Sequence, residues 1–301
     1  MLIKSITICV VLTGLATAAF GADVDGLSMF KNDHIARAAG MASAVVSLEA
    51  DPNILPYNPA AAARLEKFTA SFGHTEHWEN IRFESGHFGV NLFPKWWLHG
   101  GIRYAADNDL EKRGVIPTED PLATFNTHDL SVKTGLAYTI NERMSAGISL
   151  GWWFEEIEGW RGSAFNVDLG VLYRYDDKLG FGASAVGIGS DLVLSKSGFG
   201  DSEDIPLPTV YRIGAHYRAH EYVLAALDLV EADDDFHVHI GVQSPLHEYF
   251  TLRAGYMTGY DSKNFTAGAS FGMRNITVDY AFVPFSNDLG TSHLFNITFS
   301  L

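Results

Sequence analysis

Phe236-His-Val-His-Ile-Gly-Val-Gln243 sets the reading of the whole chain. A strand sends successive side chains to opposite faces, so Phe236, Val238, Ile240 and Val242 share one face while His237, His239, Gly241 and Gln243 share the other. The same period of two runs through residues 165–171, 211–217, 265–271 and 276–282. In a strand facing bulk water the polar side would be rich in Lys, Glu and Thr. Here it is mostly Gly, Ser, Asn and isolated charges, which suits a confined lumen, and the 29 glycines give strands room to curve.

Working outward, strands are expected at 67–76, 82–93, 96–105, 125–139, 143–154, 164–175, 179–189, 209–219, 222–230, 236–244, 249–258, 264–273, 276–283 and 293–301. That is an all-β chain of about fourteen antiparallel strands, most of about ten residues, enough to cross a bilayer at a barrel's tilt. Tight links at 94–95, 140–142, 176–178, 220–221, 245–248 and 274–275 alternate with longer ones at 77–81, 106–124, 155–163, 190–208, 231–235, 259–263 and 284–292. Short periplasmic turns and longer outer loops are the pattern of a transmembrane barrel, with both mature termini periplasmic. The longer links carry many acids, among them Asp107, Glu155, Glu156, Asp201, Glu203, Asp204 and Asp233 to Asp235. Aromatics near strand ends, including Trp96, Trp97, Trp152, Trp153, Tyr138 and Tyr217, are expected to form interfacial girdles. The last strand presents Phe295, Ile297, Phe299 and Leu301 outward, similar to the C-terminal signal read by the outer-membrane barrel assembly machinery, though such signals often end in Phe.

The N-terminus sets the compartment. Lys4 precedes an apolar run from Ile6 to Leu15 and then small residues up to Ala22, so residues 1–22 read as a secretory signal peptide for the Sec pathway, too short in its apolar core to span a membrane. The single cysteine, Cys9, lies in that leader, so the mature chain has no thiol for a disulfide, a metal or a nucleophile. A formal charge of −15 argues against nucleic acid as a partner. The mean hydropathy of +0.03 fits strands that are apolar on one face only, with outer-membrane lipid as the surrounding solvent.

Residues 23–66 lack the period of two and are expected to form a plug or hatch for the barrel at 67–301. Asn58 can cap a helix that starts at Pro59, with Ala60 to Ala63 propagating a turn or two. The stretch Ala36-Arg-Ala-Ala-Gly-Met-Ala42, Asp51-Pro52, Asn58-Pro59-Ala60, Tyr280-Ala-Phe-Val-Pro-Phe285, Asp288-Leu-Gly290 and His293 resemble the PorV/PorQ family, itself related to FadL-type barrels that pass hydrophobic molecules across the outer membrane. The resemblance implies a fourteen-stranded barrel and a plug role for Asn58, Pro59 and Ala60. These residues could equally cap a helix and close the barrel base without touching a ligand.

Lumen-facing ionisable residues are the candidates for a site: Asp168, Arg212, His216, Arg218, Asp228, His237, His239, Arg253 and Asp279. They could line a ligand path, or pair to hold a narrow lumen shut, since an unpaired charge there is costly. His237 and His239 alone make a weak metal claim, and Asp233 to Asp235 lack the spacing of a calcium loop, so neither metal nor cofactor is expected. No nucleophile elbow, Walker loop or His-Glu-x-x-His pair is present, and no catalytic residues are expected. Two functions follow. The PorV/PorQ resemblance implies support of type IX-like protein secretion or surface attachment, with loops and rim meeting export subunits or secreted cargo. The alternative is a FadL-like conduit for hydrophobic small molecules, with Met41, Val45, Val46, Leu48, Ile54 and Leu55 of the plug supplying either an apolar pocket or the plug's own anchoring core.

Overall fold

A computed structural model describes residues 34–77, 81–114, 119–232 and 234–301; the leader expected at 1–22, the part of the expected plug segment at 23–33 and Asp233 lie outside them. The wall is made of β1 (Phe68–Glu76), β2 (Arg82–Phe93), β3 (Trp96–Lys112), β4 (Ala123–Thr139), β5 (Met144–Ile157), β6 (Trp160–Arg174) and β7 (Leu179–Gly189). It continues, after a small hairpin of β8 (Ser195–Lys196) and β9 (Gly200–Asp201), with β10 (Val210–His220), β11 (Val223–Ala232), β12 (Asp235–His247), β13 (Phe250–Thr258), β14 (Phe265–Met273), β15 (Ile276–Pro284) and β16 (Thr291–Ser300). Each wall strand pairs antiparallel with its neighbours, β7 pairs with β10, and β1 closes on β16 from Thr69↔Ser300 to Glu76↔His293. Setting the small hairpin aside, the result is a closed barrel of fourteen strands. Closure leaves no strand edge for lipid to meet, which is why a strand-built wall can cross a membrane.

The alternation holds around the wall. Phe165, Phe236, Ile240, Phe295, Ile297 and Phe299 are exposed on the outer face, whereas Asp168, His237, His239, Arg253 and Asp279 are buried inside. Two expected long links turn out to be tight hairpins, because the strands run on past the lipid band. β5 and β6 meet at Glu158-Gly159, both with positive φ (49° and 80°), the two-residue turn that matches strand twist. Glu156 and Arg161 face each other across it at 2.9 Å, so charged residues assigned to a loop extend the ladder instead. β11 and β12 likewise pair out to Ala232↔Asp235. Asp107, Glu155 and Glu156 therefore stand on strands rather than in loops, and Asp107 is buried. Trp97 and Trp153 also depart from the girdle. Both sit on inward positions, Trp97 packed against the plug and Trp153 nearly fully buried, while Trp96 packs at a tilt against Tyr138 at 4.6 Å on the outside.

Residues 34–66 fill the lumen from its middle to the short-turn end. A short helix α1 (Ala36–Ala39) lies against β14 to β16, and a 3₁₀ turn, α2 (Pro59–Arg64), lies against β3 to β6. Ile35, Met41, Val45, Leu48, Ile54 and Leu55 form one apolar cluster with Ala137, Leu172, Leu224 and Ala226 of the wall. Glycines let the two backbones touch. A Cβ on Gly147 would lie 2.4 Å from the Pro59 carbonyl carbon, and one on Gly170 would lie 2.0 Å from Asn58 Oδ1.

Candidate functional site

Above the plug, two neighbouring rungs of the ladder carry the chemistry of the lumen. One runs His87, Gly101, Lys133, Gly151 and Asn166 from β2 to β6; the next runs Gly89, His99, Gly135, Ser149 and Asp168. Glycine or serine thus sits between the larger polar side chains on each rung, which leaves space for them to lie across the wall. His87, His99, Lys133 and Asp168 border a cavity of about 110 Å³. Leu55, Pro56 and Tyr57 of the plug form one side, Trp153 and His34 another, and Val186, Pro208, Val210 and Arg212 from the β7–β10 side complete it.

Charges in the cavity are unequally satisfied. Lys133 Nζ donates to Asp168 Oδ2 at 2.6 Å, and the other carboxylate oxygen accepts from Asn166 Nδ2 (2.8 Å) and from the Gly187 backbone N–H (2.9 Å). That last bond sits at a bulge, where the β6–β7 register shifts between Val167 and Leu169 and Gly187 takes φ 85°. Lys133 also lies 5.1 Å from the Trp153 ring centroid, and Arg103 Nη1 is 3.1 Å from His34 Nδ1. Arg212 instead rests its guanidinium 5.2 Å from the Tyr57 ring centroid. Its buried Nε, together with His87 Nδ1, has no hydrogen-bond partner among the described residues, whereas the His99 ring lies against the Ile148 carbonyl. Buried polar atoms are rarely left so.

The remaining candidates serve the plug or lie elsewhere. Asp228 Oδ2 accepts from the backbone N–H groups of Val45 (2.8 Å) and Val46 (2.9 Å). His216 Nδ1 lies 3.3 Å from Ser47 Oγ. Arg253 and Asp279 form a buried pair at 3.1 Å, shared with Ser270, and Arg253 Nε also donates to Gln243 (3.0 Å). Asp51 caps the turn at Pro52 by accepting from Asn53 N (2.8 Å) and pairs with Arg37. Asn58 accepts from Ala60 N (3.0 Å) and donates to the carbonyls of Val46 (2.8 Å) and Val171 (3.1 Å), so it ties plug to plug and plug to wall. His237 stacks on Tyr260 at 4.0 Å and His239 Nε2 lies 3.0 Å from its hydroxyl, forming a separate cluster. Arg218 is exposed near the β10–β11 turn. Of the ionisable lumen candidates only Asp168 and Arg212 line the cavity, and of the apolar plug candidates only Leu55.

His87, His99, Arg103, Ser131, Lys133 and Ser149 also line it and come from β2 to β5, strands that contributed no candidates. Their signal is present: in Trp97-Leu-His-Gly-Gly-Ile-Arg-Tyr104, Leu98, Ile102 and Tyr104 alternate with His99, Gly101 and Arg103. Tyr57 and His34 had none, since they lie outside the period-two region.

No protein-family model and no curated protein matches the sequence. Solved structures do. The P. putida toluene transporter TodX aligns over 90% of this chain and 98% of its own at 13% identity, with a TM-score of 0.64. CymD, a monoaromatic hydrocarbon channel, aligns over 89% and 97% at 13% identity (TM-score 0.61), and a Pseudomonas aeruginosa FadL homologue over 89% and 98% at 10% identity (TM-score 0.55). The fold is that of the FadL-type outer-membrane barrels.

Proposed function

We propose that this chain is an outer-membrane conduit for small hydrophobic molecules, with the cavity beside the plug as its binding site. The observation that carries this is a fourteen-stranded FadL-type wall around a plug that fills one end of the lumen and leaves a ring-sized cavity at its surface. A plain pore would need no such plug, and a purely structural lumen would have no use for the unpartnered donors around the cavity. The short-turn end faces the periplasm in this reading, which puts both mature termini there. Asp51, Pro52, Asn58, Pro59 and Ala60 hold the plug rather than meet the ligand. Phe295, Ile297, Phe299 and Leu301 serve the barrel assembly machinery, and no catalytic step is involved.

The likeness to channels and transporters favours the conduit over the export-linked scaffold implied by the PorV/PorQ resemblance. Affinity purification from native outer membranes, with mass spectrometry of proteins and small molecules, separates the two. The conduit predicts the barrel alone with a defined hydrophobic molecule. Stoichiometric secretion or attachment subunits without such a molecule would overturn it.

A further inference from the structure

We propose that the ligand of this cavity is a single-ring aromatic carboxylate, held through its carboxylate by Arg212, an inference that rests on the conduit reading. Size comes first. A cavity of about 110 Å³ is on the scale of engineered apolar cavities that take one benzene, and is too small to enclose an extended acyl chain. The walls divide in two. Leu55, Pro56, Tyr57, Trp153, Val186 and Val210 offer an apolar and aromatic surface to a ring.

Polarity then sets the substituent. Asp168 is already saturated by Lys133, Asn166 and Gly187, so it neither seeks a cation nor leaves Lys133 in surplus. Arg212 lines the cavity with no ion pair within 4 Å among the described residues, and its Nε is buried without a hydrogen-bond partner. His87 Nδ1 lies on the same cavity, also without a partner, and a neutral imidazole can present an N–H from either nitrogen. A plain hydrocarbon in the cavity would leave both groups dry and unpaired, which is the costly arrangement. A carboxylate satisfies the guanidinium with charge-assisted hydrogen bonds, and leaves its ring stacked among the aromatics.

The test is calorimetric titration of the detergent-solubilised full-length barrel with benzoate, benzamide, toluene and palmitate. The wild type should bind benzoate about tenfold or more tighter than its neutral isostere benzamide. Arg212→Gln should remove that preference. Equal binding of benzoate and benzamide by the wild type, a measurement that needs no variant, would overturn the carboxylate inference. So would palmitate displacing benzoate, or an Arg212→Gln barrel that keeps the full preference. If toluene still binds, the conduit reading stands; if no ring compound binds at all, the conduit reading fails with it.

Discussion

The lumen has two charged regions that look alike in sequence and differ in what surrounds them. On the β13–β15 side, Arg253 and Asp279 are paired, buried and shared with Ser270 and Gln243. On the β2–β6 and β10 side, Arg212 faces a cavity with its Nε unpartnered, beside His87 Nδ1 in the same state. The first region holds a narrow lumen together. The second carries groups that the fold leaves unsatisfied, as expected where a ligand completes the hydrogen bonding.

Breaking the paired side should cost the most stability. Asp279→Ala leaves Arg253 as a buried, uncompensated charge and should destabilise the barrel by about 3–5 kcal/mol, read as a fall in the urea midpoint of vesicle-refolded protein. Replacing both partners with Leu and Met should recover most of that loss. Asp228→Ala removes the acceptor of two plug N–H groups and should cost about 1–3 kcal/mol, with the plug becoming sensitive to protease near Arg64. Gly170→Ala pushes a Cβ into Asn58 and should cost about 1–3 kcal/mol, also loosening the plug and raising single-channel conductance in planar bilayers.

The unsatisfied side should respond in the opposite way. Arg212→Gln removes a charge that has no ion pair within 4 Å, so the urea midpoint should stay within about 0.5 kcal/mol of wild type while binding changes. A large drop in stability would mean that Arg212 is structural after all, and the contrast between the two regions would collapse. The smallest effect belongs to neither region. Asp176, in the β6–β7 turn, accepts from Lys178 N and Leu179 N at 2.8 Å each, and these bonds hold its pKa below the usual carboxylate value. Because the folded state favours its ionised form, the contribution is complete above the unfolded pKa and is lost as pH falls through the folded one. Asp176→Asn should flatten the acid limb of the unfolding profile slightly and leave neutral pH unchanged.

Strand positions and facing were legible because a lipid outside and a crowded lumen inside impose a strict period of two, seen from Phe236 to Gln243 and again from Leu98 to Tyr104. Strand ends above the lipid band were less so. Once neither face must be apolar, Glu155, Glu156 and Arg161 read as a loop although they pair as a ladder. The site was half legible. Asp168 and Arg212 stand out as lumen charges, but pairing depends on which strands are neighbours around the wall and on where the plug lies. Nothing local distinguishes Arg253, which meets Asp279 two strands away, from Arg212, which meets the Tyr57 ring of the plug.

The most direct test of the central claim is uptake of labelled toluene by cells carrying this barrel in an intact outer membrane, compared with cells carrying a Ser149→Phe variant. Ser149 points into the cavity from β5, and a ring there fills the space without touching the Arg253–Asp279 region. The account predicts wild-type levels of folded barrel and uptake reduced to that of cells without it. Undiminished uptake through a folded Ser149→Phe barrel would contradict it, and would place the path outside this cavity.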